Sequence, residues 1–248
     1  MSSFAFITGA TSGIGLASAK ALAGKGYGLV LAARNEEKLA VVKKEIEEEM
    51  GVPVICYKLD VRNPDEIRSV ADRCLREAGT PRILLNDAGL ARGLEPYGET
   101  KEEDILQMID TNIKGLFLMT RAFLPSMLEK NEGHIVNLGS TAGLYAYAGA
   151  AVYCATKAAV KTFSDGIRID VIDSDIKVTT IQPGIVETPF SEVRFHGDKE
   201  RAAKVYEGVD ALQAEDIANI IAFAVDQPSD IVIMANQQAT GFMVSKKK

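Results

Sequence analysis

The chain has 248 residues, of which 47% are hydrophobic and 25% charged, with a formal net charge of −6 at pH 7. This length and composition fit one soluble globular domain with a sizeable core. The negative charge, with no basic stripe to offset it, argues against a nucleic-acid partner. No apolar run is long enough to span a bilayer, and no signal peptide is recognisable. Three cysteines without metal-like spacing indicate free thiols, so we expect a cytoplasmic protein with no metal site and no membrane partner.

Apolar runs alternate with helical segments along the whole chain. The predicted strands are residues 4–7, 29–33, 52–57, 83–85, 134–138, 177–181 and 231–234. The predicted helices are residues 14–22, 36–50, 64–78, 103–129, the segment that carries Tyr153, and 215–225, with a polar, partly helical excursion at 189–210. Strands that alternate with helices form parallel sheets covered on both faces, and right-handed crossovers make them doubly wound. We therefore expect a single α/β domain over residues 1–248, with a Rossmann-type doubly wound parallel sheet of about seven strands.

A glycine-rich turn lies between the first predicted strand and the first predicted helix. Gly9 permits the tight turn, Gly13 lets the backbone approach a pyrophosphate, and Gly15 allows close packing of helix on strand. The amides at the helix start then bind the phosphates, because a helix N-terminus favours anions. The strand before this turn and the helix after it are the context that a dinucleotide-binding motif requires. The predicted phosphate-binding residues are Gly9, Ala10, Thr11, Ser12, Gly13, Ile14 and Gly15.

The end of the second strand indicates which dinucleotide binds. An Asp or Glu there would accept a hydrogen bond from the ribose 2′-hydroxyl of NAD, whereas this chain has Ala33 followed by Arg34. A guanidinium suits a 2′-phosphate through its charge and its fork of donors. We therefore expect NADP rather than NAD; a surface arginine with partners among residues 35–37 is the alternative.

Three polar groups stand in a small and apolar stretch between residues 139 and 158. Tyr153 and Lys157 are four residues apart and would share one face of a helix, and Ser140 follows the apolar run 134–138. A phenol beside a fixed ammonium is a proton donor that works near neutral pH. For an isolated pair, a surface Tyr and Lys would be the simpler interpretation.

Together these residues closely resemble the short-chain dehydrogenase/reductase family over nearly the whole chain. The matching motifs are TGATSGIG at 8–15, Asp60 after the third strand, NDAG at 86–89, Asn112, Ser140, YCATK at 153–157 and PGIVET at 183–188. All of them in this order make the resemblance specific. The chain departs from the family at two positions: it has Asp87 where the family often has Asn, and Gly139 where it often has Ser. Neither is one of the four positions to which the resemblance assigns a catalytic role, namely Asn112, Ser140, Tyr153 and Lys157.

The resemblance implies a role for each matching residue. Tyr153 would be the general acid/base and Ser140 would hydrogen-bond the reacting oxygen. Lys157 would hold the nicotinamide ribose and lower the pKa of the phenol, and Asn112 would anchor a proton-relaying water. The other implied cofactor-binding residues are Asp60, Val61, Asn86, Ala88, Gly89, Pro183, Gly184, Val186 and Thr188, beside Arg34, Tyr153, Lys157 and the glycine turn.

Within the family, residues 139–158, 191–218 and 231–238 resemble the NADP-dependent 3-hydroxy acid dehydrogenases, which act on serine, allo-threonine and similar small β-hydroxy acids. A 3-oxoacyl thioester or general carbonyl reductase is the alternative; the TGQ-and-VDGG-like ending usual in thioester reductases is missing from this sequence. A dinucleotide-binding regulator without turnover would not need all four catalytic groups.

A small anionic substrate needs a cation near the nicotinamide. Arg92 and Arg194 are the candidates, and either is equally explained as a solvated or interface arginine. His196, in a polar loop, is expected at the surface. Family members usually form tetramers through the helix that begins near Glu103 and the helix that carries Tyr153, so the resemblance implies a homotetramer.

Overall fold

Six parallel strands form the central sheet in the computed structural model, which describes residues 3–227. They are β1 (Phe4–Thr8), β2 (Gly28–Ala33), β3 (Val54–Lys58), β4 (Ile83–Asn86), β5 (Gly133–Leu138) and β6 (Ile176–Ile181). The strand order is β3-β2-β1-β4-β5-β6. The order reverses between β1 and β4, and ligands of such sheets bind where this reversal opens a crevice at the carboxyl ends of the strands.

Helices cover both faces of the sheet. They are α1 (Gly13–Gly24), α2 (Glu36–Met50), α3 (Pro64–Glu77), α4 (Glu102–Ile109), α5 (Leu116–Lys130), α6 (Ala151–Asp170), α7 (Phe190–Arg194), α8 (Lys199–Lys204) and α9 (Ala214–Ala224). Successive strand residues point to opposite faces, so Ile7 and Leu31 pack in one core cluster and Phe6 and Val30 in another. All four side chains are inaccessible to solvent. The predicted doubly wound α/β architecture is confirmed.

The predicted long helix at 103–129 differs from the observed one in its middle. Residues 102–130 are helical, but Asp110–Gly115 form a π-helical segment between α4 and α5. Gly115 in this segment packs closely against the loop between β3 and α3. A Cβ on Gly115 would lie 2.8 Å from the carbonyl oxygen of Val61 in that loop. The π segment contains Asn112, and such segments are frequent at functional sites.

A small second sheet joins the two ends of the segment predicted as an excursion, residues 189–210. β7 (Val186–Glu187) pairs in parallel with β8 (Leu212–Gln213), and α7 and α8 lie between them. This pairing was not predicted. The seventh strand predicted for the main sheet, residues 231–234, lies outside the described residues.

No helix within residues 3–227 has the length and apolar character to cross a membrane. The same part of the chain contains no cluster of three or more His, Cys, Asp or Glu side chains with the geometry of a metal site. Cys56, Cys74 and Cys154 are free thiols.

Candidate active site

The turn between β1 and α1 has the geometry expected of a phosphate cradle. Gly9 and Gly13 have φ angles of +72° and +53°, a conformation that only glycine adopts without strain. A Cβ on Gly15 would lie 2.6 Å from the Gly9 carbonyl oxygen, so the helix packs on the turn more closely than a side chain would allow. The turn therefore depends on these three glycines.

The N-terminus of α1 offers backbone donors to an anion. Ser12 precedes the helix and makes no capping hydrogen bond with its side chain, and the first turn carries no acidic residue. By contrast, α2 is capped by Asn35 and begins with two glutamates. An uncapped helix start next to a glycine cradle fits a pyrophosphate.

Arg34 and Asp60 lie beyond the carboxyl ends of β2 and β3. Arg34 is exposed and forms no hydrogen bond or ion pair within residues 3–227. Its sequence neighbours have other partners, because the Asn35 side chain caps α2 and Glu36 lies 3.5 Å from Lys58. A side-chain hydrogen bond from Arg62, and more weakly the charge of Arg34, hold the pKa of Asp60 below its usual value. Arg34 is thus an available cation at the predicted 2′-phosphate position.

Residues 86–89 lie between the glycine turn and α6. The Thr8 hydroxyl accepts hydrogen bonds from the amides of Asp87 and Ala88 at 3.1 and 3.0 Å. Asn86 is buried and donates to Asn137 at 2.9 Å, which ties β4 to β5. Gly89 lines the cleft described below, with Lys157 Nζ 3.5 Å from where its Cβ would be.

The carboxyl group of Asp87 sits between the turn and Lys157. Its Oδ2 atom would be 2.9 Å from a Cβ on Gly9 and 2.6 Å from one on Gly15. Burial raises the pKa of Asp87 from 3.8 to about 7, and Lys157 and the Gly15 amide oppose that rise. Where the family often has a neutral amide, this chain therefore places an ionisable group beside the cofactor cradle.

Ser140, Tyr153 and Lys157 converge on one cleft. Tyr153 and Lys157 are 8% and 7% exposed, and Lys157 Nζ donates to the Leu138 carbonyl at 2.7 Å. The turn that carries Ser140 lies against α6 because residue 143 is glycine: a Cβ there would be 2.6 Å from the Lys157 carbonyl. The cleft is lined by Ile14, Asp87, Gly89, Leu138, Gly139, Ser140, Tyr153, Lys157, Pro183, Gly184, Val186, Thr188 and Phe190.

The pKa of Tyr153 is raised in the protein without cofactor, whereas the resemblance implies that Lys157 lowers it. Burial raises it from 10 to about 12, while Arg194 and a hydrogen bond with Ser140 lower it. Lys157 Nζ lies 5.9 Å from the phenol ring centroid, and burial lowers its own pKa to about 8. Burial thus dominates, and Arg194 is the cation that most opposes it.

Asn112 lies behind the cleft and fixes the backbone there. Its side-chain amide donates to the Leu90 carbonyl and its oxygen accepts from the Leu90 amide, both at 2.8 Å. The same amide donates to the Thr156 hydroxyl on α6 at 3.0 Å. The side chain therefore holds the loop after β4 through both its oxygen and its nitrogen, and the nitrogen also ties that loop to α6.

Sequence comparison decides the family. The profile for short chain dehydrogenases matches residues 3–199. The chain belongs to the short-chain dehydrogenase family. A "Probable NADP-dependent dehydrogenase" of Haemophilus influenzae is 43% identical over 98% of both chains. An "NADP-dependent 3-hydroxy acid dehydrogenase" of Schizosaccharomyces pombe is 42% identical over 92% of this chain and 88% of its own. A solved closed form of serine dehydrogenase complexed with NADP+ is 39% identical, with a TM-score of 0.89 over 98% of this chain and 100% of its own.

The two candidate arginines of this short-chain dehydrogenase occupy different environments. Arg194 is 6% exposed, and its guanidinium carbon lies 5.2 Å from the Tyr153 ring centroid. Its Nη2 donates to the Tyr147 hydroxyl at 2.9 Å, and its Nε has no hydrogen-bond partner among the described residues. Arg92 instead donates to Gln107 Oε1 and is absent from the residues that line the cleft or the pocket around Arg194.

Sequence reasoning missed several residues that surround Arg194. The pocket next to the cleft includes Tyr147, Phe190 and Tyr206 as well as Ser140 and Tyr153. Tyr147 lies within residues 139–158 and Tyr206 within residues 191–218, the segments that carry the resemblance to the subgroup, but nothing in the sequence singles out either as a site residue. His196, expected at the surface, has a side chain 50% exposed and contacts Asp104 through Nε2 at 3.2 Å.

Proposed function

We propose that the protein is an NADP-dependent oxidoreductase that interconverts a small 3-hydroxy acid and the matching β-keto acid or related carbonyl compound. The observation that carries the substrate class is Arg194, a buried guanidinium beside the Tyr153 ring with an unpartnered Nε. A buried, unpaired donor is costly, so a carboxylate that accepts from it would be bound strongly. The names of the relatives, which include 3-hydroxy acid and serine dehydrogenases, support the same class.

Residues at the β1–β4 crevice would hold the dinucleotide. The amides at the start of α1 and the cradle formed by Gly9, Gly13 and Gly15 suit its pyrophosphate. Arg34, which has no other partner among the described residues, suits a 2′-phosphate and so favours NADP over NAD. When bound, NADP supplies or accepts the hydride.

The chain's own residues would handle the proton. Tyr153 would exchange a proton with the hydroxyl or carbonyl oxygen of the substrate, and Ser140 would orient that oxygen by a hydrogen bond. Lys157, held by the Leu138 carbonyl, would fix the ribose and supply positive charge. Asn112 would hold the loop after β4 against helix α6 through its hydrogen bonds to both. As the resemblance implies, it would also anchor the relay water.

Paired substrates test the carboxylate site. Arg194→Gln removes the charge, and Arg194→Lys retains it without the fork of donors. We expect kcat/KM for a small 3-hydroxy acid, relative to that for its methyl ester, to fall about 30-fold or more in Arg194→Gln, since breaking a buried charge pair costs about 2 kcal/mol or more. Arg194→Lys should lose less.

The acid-to-ester ratio cancels the second effect of Arg194, which is to lower the pKa of Tyr153 for both substrates alike. Equal losses on acid and ester, or no loss, would contradict a carboxylate site and favour a general carbonyl reductase. Tight NADPH binding with no turnover of any β-keto acid, aldehyde or diketone would favour a regulator.

We also propose that one domain, residues 1–248, assembles as a cytoplasmic homotetramer. Exposed apolar side chains on the helices named by the resemblance support this assembly. They are Leu106 and Ile109 on α4, Leu128 on α5 and Ile169 on α6. Light scattering after gel filtration should give four times the chain mass of 26.7 kDa; a monomer would contradict the proposal.

A further inference from the structure

Arg92 holds the segment that carries Arg194. Its side chain is 17% exposed. Its Nε and Nη2 donate to Gln107 Oε1 at 3.2 and 3.1 Å, and its Nη1 donates to the Val193 carbonyl. The guanidinium therefore joins α4, which contains Gln107, to α7, which contains Val193.

Helix α7 needs such an external contact. It has five residues, and so short a helix is not stable by itself. The Val193 carbonyl in its last turn accepts from the His196 amide at 3.3 Å, and Arg92 Nη1 is a second, side-chain donor to the same carbonyl. The next residue is held from the same side, because the Gly93 amide donates to the Arg194 carbonyl at 2.9 Å. Residues 92 and 93 thus hold the two backbone carbonyls that flank the Arg194 Cα atom.

Asp104 strengthens this connection. Its side chain is 7% exposed, and its carboxylate lies 3.9 Å from Arg92 Nε and 3.2 Å from His196 Nε2. His196 is the residue at which the chain turns away from α7, with a φ of +55°. Arg92, Asp104 and His196 therefore form one cluster, which we call the α7 anchor, between α4 and the end of α7.

We propose that Arg92 is a positioning residue, which places the Arg194 guanidinium over Tyr153 by capping the C-terminal end of α7. This inference rests on the proposed function, in which Arg194 binds the substrate carboxylate. Arg92 itself touches neither of the pockets around Tyr153. Removing Arg92 should therefore weaken acid binding through the position of Arg194 and leave the proton-transfer groups in place.

The test compares Arg92→Gln and Arg92→Lys with a matched control. Arg201→Gln breaks a surface contact of 3.1 Å between Arg201 on α8 and Glu95 in the loop after β4, so it removes an arginine ion pair near α7 that does not join α7 to α4. We expect Arg92→Gln to raise KM for a 3-hydroxy acid about 10- to 100-fold, the cost of an ångström-scale misplacement. Its KM for the methyl ester should stay within about 3-fold of wild type, and any change in kcat, which would come through the effect of Arg194 on the pKa of Tyr153, should be the same for acid and ester. Arg92→Lys should recover part of the loss, and Arg201→Gln should behave as wild type.

Hydrogen exchange of the amides of residues 190–197 gives a readout that does not depend on turnover. These amides should exchange faster in Arg92→Gln than in wild type or Arg201→Gln. Gln107→Ala, which removes the other acceptor of Arg92, should shift both readouts in the same direction and serves if Arg92→Gln does not fold. The inference would be overturned if Arg92→Gln left the exchange of residues 190–197 unchanged or raised KM equally for the acid and the ester. It would also be overturned if Arg201→Gln had the same effect as Arg92→Gln. If wild type fails to prefer acids while exchange responds as expected, the proposed function fails and the positioning role stands.

Discussion

Asp87→Asn should stabilise the protein without dinucleotide, and more so at higher pH. The pKa of Asp87 is about 7 in the native state and 3.8 in the reference state. A native pKa above the unfolded value means that the associated stability is complete below about pH 4 and is lost as pH rises to 7. Each pKa unit is worth about 1.4 kcal/mol, so ionised Asp87 lowers the free energy of unfolding by up to about 4 kcal/mol.

Asparagine keeps the shape and an acceptor for the Gly15 amide but does not ionise. Urea unfolding should therefore give Asp87→Asn a free energy of unfolding up to about 4 kcal/mol above wild type at pH 8. That gain should be about 1 to 2 kcal/mol smaller at pH 6. Both pH values lie above the isoelectric point of about 5.2, so the protein keeps a net negative charge in both measurements. Lys157 loses the neighbouring carboxylate in the variant, which reduces the gain because that charge favours its ammonium.

Asp60→Asn is the matched control with the opposite sign. The hydrogen bond from Arg62 lowers the pKa of Asp60, so its stabilisation is present above the unfolded pKa and is lost as pH falls. That variant should be less stable than wild type at both pH values. A wild type more stable than Asp87→Asn at pH 8, or a gain that does not grow with pH, would refute the reasoning about Asp87.

Two further substitutions test the catalytic and cofactor assignments. Tyr153→Phe should abolish turnover and leave the NADP dissociation constant nearly unchanged, because it removes only the proton-exchanging hydroxyl; measurable turnover would remove Tyr153 from the chemistry. Arg34→Asp should lower the ratio of kcat/KM with NADP to that with NAD about 10- to 100-fold, the value of a charge-assisted hydrogen bond lost to the 2′-phosphate. An unchanged ratio in steady-state assays would contradict the role of Arg34.

Local signals in the sequence account for the elements that were predicted well. Helix α2 has the predicted bounds, Glu36–Met50. Its start follows from the Asn35 side chain, which accepts from the Lys38 amide at 2.8 Å. Its end follows from Gly51 in the left-handed conformation. Both are short-range capping signals that a sequence displays directly.

Features that depend on distant residues escaped prediction. A π turn differs little from an α turn in apolar periodicity, so the sequence predicts an uninterrupted helix through Asp110–Gly115. The rise in the pKa of Tyr153 depends on burial by the assembled fold. Arg92 and Arg194 had equal standing in the sequence, because their partners Gln107 and Tyr147 are 15 and 47 residues away.

The initial rate of dinucleotide reduction with small 3-hydroxy acids tests the central proposal most directly. Serine, allo-threonine and their methyl esters should each be assayed with NADP+ and with NAD+, by absorbance of the reduced nicotinamide. We predict turnover of at least one acid, with a higher kcat/KM for NADP+ than for NAD+ and for the acid than for its ester. No reduction of NADP+ with any 3-hydroxy acid, by an enzyme that reduces uncharged or thioester carbonyls with NADPH, would contradict it.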